Sequence, residues 1–314
     1  MRAATIRDQK IVVAEHPDPE PDAGQVLVRV HAAGLNGADQ AQLLGLYPPP
    51  PGSGVPEDIP GLELAGVVAA TGPGVTRFTP GDPFMALVAG GGQAELAVIH
   101  ERHLMPVPEA LDRPHDGAFP EVFSTAYDAL FNQAGLQPGE HLLVHGAAGG
   151  VGTAAVQLAV SLGARVTATV RNPDARAAVA ALGAQVLPPE DFAPGGPYDV
   201  VLELVGGPNI AADVQSLAVG GRIVVIGVGG GFTAELNLID LLYRRATITG
   251  TNLRTRSLED KALLARQVER HVLPAVSAGR LHVPLAAAYP LEQAADAYAH
   301  FAAGGKTGKI VLTF

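Results

Sequence analysis

Cysteine is absent from this chain of 314 residues. That excludes disulfides, thiolate metal ligands and a cysteine nucleophile. Charge is sparse: charged residues are 17% of the chain, and 21 Lys and Arg stand against 31 Asp and Glu, a net charge of −10. Lys and Arg form no long cluster, so a nucleic-acid surface, which needs a basic patch, is not expected. No apolar run is long and uninterrupted enough to cross a bilayer, and the opening MRAATIRDQK lacks the apolar core of a signal peptide. The expectation is a soluble cytoplasmic protein with no membrane or nucleic-acid partner. What the chain does have is apolar bulk. Hydrophobic residues are 47% of it, enough for a large core, and its length suits two domains.

The chain is organised around residues 141–158, HLLVHGAAGGVGTAAVQL. The apolar run at 142–145 reads as a strand buried on both faces. Gly146, Gly149, Gly150 and Gly152 follow, and then an almost uncharged apolar helix. Strand, glycine turn and helix make the first half of a dinucleotide-binding unit. Glycine lets the turn tighten and lets backbone N–H groups approach a pyrophosphate, at which the helix dipole also points. The motif runs Ala147-x-Gly149-x-x-Gly152, with alanine in place of the first glycine. Ala147, Gly149, Gly150, Val151 and Gly152 are therefore the candidate phosphate cradle.

Residues before about 115 read as β-rich, with strand candidates at 25–32, 64–71 and 94–99, punctuated by Pro and Gly. The proline run at 48–51 reads as a stiff exposed loop. From about 120 the pattern alternates strand and helix, which implies a parallel sheet. Strands are expected at 142–145, 165–170, 185–187, 199–204, 222–227 and 247–250. Helices are expected at 153–162, 173–182, 209–218 and 239–245. A long helix at 258–277 follows, then strands at 281–288 and 310–313 around a helix at 291–303. The late strands are expected to return to the first domain. The domains would then be 1–119 with 280–314, and 120–279, the second a doubly wound parallel sheet in an α/β fold.

The end of the second strand of such a sheet meets the adenosine ribose, where an acid selects NAD. Here the strand runs into Arg171, with no acid at its tip. A planar, permanently charged guanidinium suits a 2′-phosphate, so NADPH is expected over NADH.

Several stretches are similar to a known family: AGLNGAD at 33–39, GLELAGVV at 61–68, the AAGGVG turn, and GKIVL at 308–312. The chain resembles the medium-chain dehydrogenase/reductase superfamily over essentially its whole length. GLYPPPPG at 45–52, MALVAGGGQAE at 85–95 and NLRTRS at 252–257 look like its zinc-free quinone oxidoreductases, the zeta-crystallin-like and tumour-suppressor-inducible subfamily. The resemblance implies a β-rich GroES-like catalytic domain beside a Rossmann domain. Zinc enzymes of the superfamily use cysteine, histidine and an acid as ligands. This chain has Asn36 and Leu62 at the first two positions and keeps only Glu63, so no metal is expected. It departs from the subfamily in having Gly149 for a small polar residue and Glu203 for an aspartate.

The resemblance puts Asn36 on the nicotinamide side, where its amide could donate to a quinone oxygen. The alternative is an asparagine tolerating a left-handed turn. Tyr47 would sit at the mouth of the cleft as a stacking or proton-donating group, or merely pack on prolines. Thr125 matches a threonine contacting the nicotinamide end, or caps a helix. Gly206, Gly227 and Val228 follow the fourth and fifth strands, whose carboxyl ends border the crevice for the cofactor. Arg254 is a candidate for the substrate cleft. Lys309 has no assigned role. HERH at 100–103 is not a zinc motif, because its histidines are three apart, and it reads as a solvated turn.

The expected chemistry is NADPH-dependent hydride transfer to a quinone without zinc. Reduction of α,β-unsaturated carbonyls is the first alternative, and a crystallin-like or sensor NADPH-binding protein with little turnover the second. The apolar strand near 246–250 is a candidate sheet edge, which suggests a homodimer.

Overall fold

The computed structural model describes residues 1–314. The chain divides into two compact units. One contains Met1–Ser124, Leu253–Gly304 and Gly308–Phe314; the other contains Thr125–Asn252 and Gly305–Thr307.

The first unit opens with a hairpin of β1 (Arg2–Arg7) and β2 (Lys10–Glu15). Its turn residues, Asp8 and Gln9, both have positive φ, 49° and 56°, the mirror-image turn that matches strand twist. Next come β3 (Gln25–Gly34), α1 (Gly37–Leu43), β4 (Glu63–Thr71), β5 (Pro83–Leu87), β6 (Leu96–His100) and β7 (Leu104–Pro106). α2 (Pro120–Tyr127) runs on into a π-helical turn over Asp128–Gln133.

The second unit alternates strand and helix as the apolar runs predict: β8 (His141–Val144), α3 (Gly150–Leu162), β9 (Arg165–Thr169), α4 (Pro173–Ala180), β10 (Gln185–Leu187), β11 (Tyr198–Glu203), α5 (Gly207–Ser216), β12 (Leu217–Val225), α6 (Leu238–Arg244) and β13 (Thr247–Gly250). The six strands are parallel and lie in the order β10-β9-β8-β11-β12-β13. Counted along the unit this is 3-2-1-4-5-6, so the order reverses between β8 and β11. Ligands of doubly wound sheets bind outside the carboxyl ends of the strands at such a reversal.

The chain then adds α7 (Leu258–His271), α8 (Leu273–Ser277), β14 (Leu285–Pro290), α9 (Ala294–Ala303) and β15 (Lys309–Thr313) to the first unit. β15 pairs with β3, extending a seven-stranded sheet ordered β14-β15-β3-β4-β5-β7, with β6 also on β3. Its core packs Val26, Val28, Val30, Leu64, Phe84 and Leu104, all buried. Each such side chain contributes roughly 1.5–3 kcal/mol of transfer free energy.

Three expectations need correction. The long helix breaks at Val272 into α7 and α8, because Pro274 has no N–H to continue the ladder and its ring collides with the preceding turn. The strand expected at 281–288 forms later, at Leu285–Pro290. Residues 253–279 belong with the first unit rather than the nucleotide domain. Polar ties hold them there: Arg102 pairs with Glu259, Arg266 donates to the Leu104 carbonyl, and Leu264 and Val268 are buried.

Candidate active site and nucleotide cradle

In the first unit, the end of β3 and the start of α1 form a buried polar nest. Asn36 caps α1 in an extended conformation (φ −129°), so the left-handed alternative does not apply. Its backbone N–H donates to Asp39 Oδ2 at 2.8 Å, and Gly61 N donates to Asp39 Oδ1 at 2.9 Å. Burial still pushes the Asp39 carboxyl up to about 6, against the pull of those N–H groups and of Lys309.

The Lys309 ammonium enters this nest from β15. It lies 2.6 Å from Glu63 Oε1, donates to the Leu35 carbonyl at 2.7 Å, and donates to Asn36 Oδ1. All three ammonium protons are thus taken, and Lys309 and Glu63 are 3% and 0% exposed. Asn36 Nδ2 donates back to Glu63 Oε1 at 3.1 Å, and Glu63 Oε2 accepts Glu121 N at 2.8 Å. The amide orientation of Asn36 follows from the ammonium: its oxygen must face Lys309. Gly34 makes the closeness possible, since a Cβ there would lie 2.2 Å from Glu63 Oε1.

A tetrahedral catalytic zinc needs three side-chain ligands and an open position. Here Leu62 offers no donor atom, and the oxygens of Asn36 and Glu63 already serve an ammonium. This donor set does not fit such a metal.

Arg254, the candidate for the substrate cleft, is buried and fully engaged by the protein. It is 4% exposed, and its guanidinium donates to the Ala89 carbonyl at 2.7 Å, the Tyr47 carbonyl at 2.6 Å and Gln42 Oε1 at 2.5 Å. It also lies over the Tyr47 ring, 5.0 Å from the centroid. Arg254 therefore pins the loop that presents Tyr47. The Tyr47 ring is half-buried; burial raises its phenol and the guanidinium opposes that.

The HERH segment is tied down rather than solvated. Glu101 accepts Thr76 N and Arg77 N at 2.8 and 2.7 Å, and His103 bonds the Leu258 carbonyl at 3.1 Å. Burial lowers the His103 imidazole to about 4, so it is neutral near pH 7.

In the second unit, Gly149 caps α3 with no side chain on the first N–H groups of the helix. Gly150, Val151 and Gly152 are the first residues of that helix, and N–H groups there have no intrahelical acceptor. A Cβ on Gly152 would sit 2.6 Å from Ala147 Cα and 2.7 Å from the Gly146 carbonyl. Ala147 is itself buried, its N–H bonded to the Thr169 carbonyl at 3.2 Å. At Gly149 a Cβ would meet only the Gly146 carbonyl at 3.5 Å, so the backbone tolerates a side chain there. Arg171 is exposed at the tip of β9. Gly206 (φ +113°) and Gly227 pack so that a Cβ would lie 2.7 Å from Val228 Cα and 2.3 Å from the Leu204 carbonyl, respectively. Val228 itself is partly exposed at this rim. Thr125 is buried inside α2, five residues past its first residue, so it is not the N-cap of that helix.

Sequence reasoning missed Asp39, Gln42, His145 and Asp213, and gave Lys309 no role. Apart from the local bond of Asp39 to Asn36 N, their partners lie 15 or more residues away, 273 for Lys309 and Asn36, so a short sequence window does not show them. The one available signal was polarity inside otherwise apolar strand ends and helices.

Two family models match: an alcohol dehydrogenase GroES-like domain over residues 22–109 and a zinc-binding dehydrogenase over residues 182–312. A human quinone oxidoreductase is 31% identical over 306 residues, covering 94% of this chain and 90% of that protein. The quinone oxidoreductase of Thermus thermophilus, solved also with NADPH, superposes with a TM-score of 0.83 at 32% identity over the whole of both chains. A mycobacterial protein solved with NADPH superposes with a TM-score of 0.88 at 27% identity, again over both whole chains. With this architecture and these relatives, the chain belongs to the medium-chain dehydrogenase/reductase family.

Proposed function

We propose that the protein is an NADPH-dependent oxidoreductase that reduces quinones without zinc. The observation that carries this reading is the ammonium of Lys309, bound between Glu63 and Asn36 where zinc relatives would hold a metal. With no Lewis acid to activate an alcohol, the acceptor must be one that needs little activation. The two relatives named quinone oxidoreductase support that substrate class, and two solved neighbours contain NADPH.

The residues divide the work. The N–H groups of Gly150, Val151 and Gly152 receive the pyrophosphate, and the backbone at Gly149 and Ala147 lets it approach. Arg171 pairs with the 2′-phosphate. Gly206, Gly227 and Val228 would hold the rest of the dinucleotide at the strand ends, and Thr125 would serve its nicotinamide end. When bound, NADPH supplies the hydride. Asn36 Nδ2, its amide oriented by Lys309 and Glu63, donates its second hydrogen, which otherwise makes only a long 3.5 Å contact to the Gly34 carbonyl, to a quinone oxygen. The Tyr47 hydroxyl gives a proton to the oxygen that gains charge, and water reprotonates it. Arg254 acts through Tyr47 by holding its loop.

Purified protein should oxidise NADPH with simple quinones faster than NADH, and faster than with an enone panel run alongside. No oxidation across the quinones would end the reading, and preference for enones would replace the acceptor class. Metal analysis of active protein should find no stoichiometric zinc.

We also propose a homodimer joined at the sheet edge of the second unit. β13 has a partner on one side only. Beside it in sequence, α6 leaves Leu238, Ile239, Leu242 and Tyr243 exposed by 56–79%. Exposed apolar residues clustered next to an open strand edge suit self-association.

A further inference from the structure

The most deeply buried ionisable groups of the second unit have no part in that mechanism. His145 follows β8, Glu203 ends β11 and Asp213 lies on α5; all three are 0% exposed. One ligand atom from each lies within 4.8 Å of the others. His145 is bonded at both nitrogens, Nδ1 to Thr169 Oγ1 and Nε2 to Asp213 Oδ1, each at 2.8 Å. The Phe192 ring meets it edge-on, with centroids 4.6 Å apart. Glu203 accepts from the N–H groups of Val205 and Gly206, the latter at 2.8 Å, and from Asn209 Nδ2 at 2.9 Å. Asp213 Oδ2 is buried without a partner.

The group fits a metal poorly, because the imidazole and both Glu203 oxygens are already committed. Its bonds lead instead to the glycine turns. His145 directly precedes Gly146, which opens the phosphate turn at φ +65°. Thr169, its partner, also offers its carbonyl to Ala147 N. Glu203 grips the turn that contains Gly206, a residue held at φ +113° and bridged to Gly231. An isolated chain would not hold that turn: Gly206 has many alternatives, and a loop at a ligand rim loses affinity for each one it samples. A buried carboxylate accepting several N–H groups removes those alternatives. Burial nevertheless raises the Glu203 carboxyl, partly offset by His145 and by the N–H donors.

We propose that Glu203, backed by His145 and Asp213, is a positioning residue for the dinucleotide, clamping the Gly206 turn in its binding conformation. This rests on the NADPH reading above. Glu203→Ala removes the clamp; Glu203→Gln keeps an oxygen acceptor without the charge. In steady-state kinetics and fluorescence titration, Glu203→Ala should raise the KM and Kd for NADPH about tenfold, with the quinone KM moving less than about twofold. Glu203→Gln should recover most of that loss. Asn209→Ala leaves Glu203 present but removes one donor that orients it, and should raise the NADPH KM about threefold. That variant keeps the test open if Glu203→Ala does not fold. NADPH affinity unchanged in both Glu203→Ala and Asn209→Ala, or NADPH and quinone KM rising together, overturns the proposal. Wild-type protein that fails to bind NADPH overturns the functional reading instead.

Discussion

Tyr47 offers a half-buried ring whose hydroxyl makes no hydrogen bond inside the protein, beside a guanidinium that opposes the effect of burial on it. A general acid in such a place contributes about 10²–10⁴-fold. Tyr47→Phe should therefore lower kcat with quinones by at least about tenfold, with little change in the NADPH KM. Identical turnover across pH in the variant would remove the hydroxyl from the reaction. Asp39 makes a different prediction. Its folded-state value of about 6 lies above its ordinary 3.8, so the folded state holds that proton more tightly than the unfolded one. The stabilisation is complete below pH 3.8 and is lost as pH rises through 6, with an upper bound of roughly 3 kcal/mol. Asp39→Asn cannot ionise. Denaturant titrations should show wild type losing stability relative to this variant between about pH 4 and 7; parallel curves would contradict it. The proton-donating role of Tyr47 came from the family resemblance, whereas nothing in the sequence marked Asp39 as perturbed. Asp39 looks like any helix-start acid, and its environment comes from Gly61 and Lys309, far along the chain.

At the scale of elements, the α3 start depends on a contact rather than on a special dihedral. The Cβ of an alanine at position 152 would press on backbone atoms of Ala147 and Gly146, which cannot rotate away. Gly152→Ala should displace the turn, raise the NADPH KM about tenfold or more and cost about 1–3 kcal/mol of stability. Unchanged cofactor affinity would mean that the turn does not carry the phosphates. The elements of the second unit were readable because most strands carry Val, Ile or Leu in short runs set between Gly or Pro, although β12 starts at Leu217, before its apolar stretch. The β1–β2 hairpin was not, since Asp8 and Gln9 carry no glycine to announce positive φ. α1 escaped for a similar reason: at seven residues it is too short to show a helical period. Lys309 lay one residue before the strand read at 310–313; it opens β15, and the purpose of its charge appears only when β15 is laid beside β3.

For the whole molecule, no helix is long and apolar enough to cross a membrane. The exposed side chains of α6 point to association with a second copy. Light scattering should give about twice the 32.1 kDa chain mass, and Leu242→Asp with Tyr243→Asp should halve it. A wild-type monomer would refute the proposed interface. The pairing of β15 with β3 also shapes what the family's chemistry can become. The Lys309 ammonium and a zinc ion would compete for one oxygen of Glu63. A cysteine at 36 or a histidine at 62 alone would leave the ammonium on that oxygen, while loss of the lysine alone would leave a buried carboxylate without its counter-charge. The last strand thus couples positions 36, 62 and 309, so that a change at one alters what the others can hold.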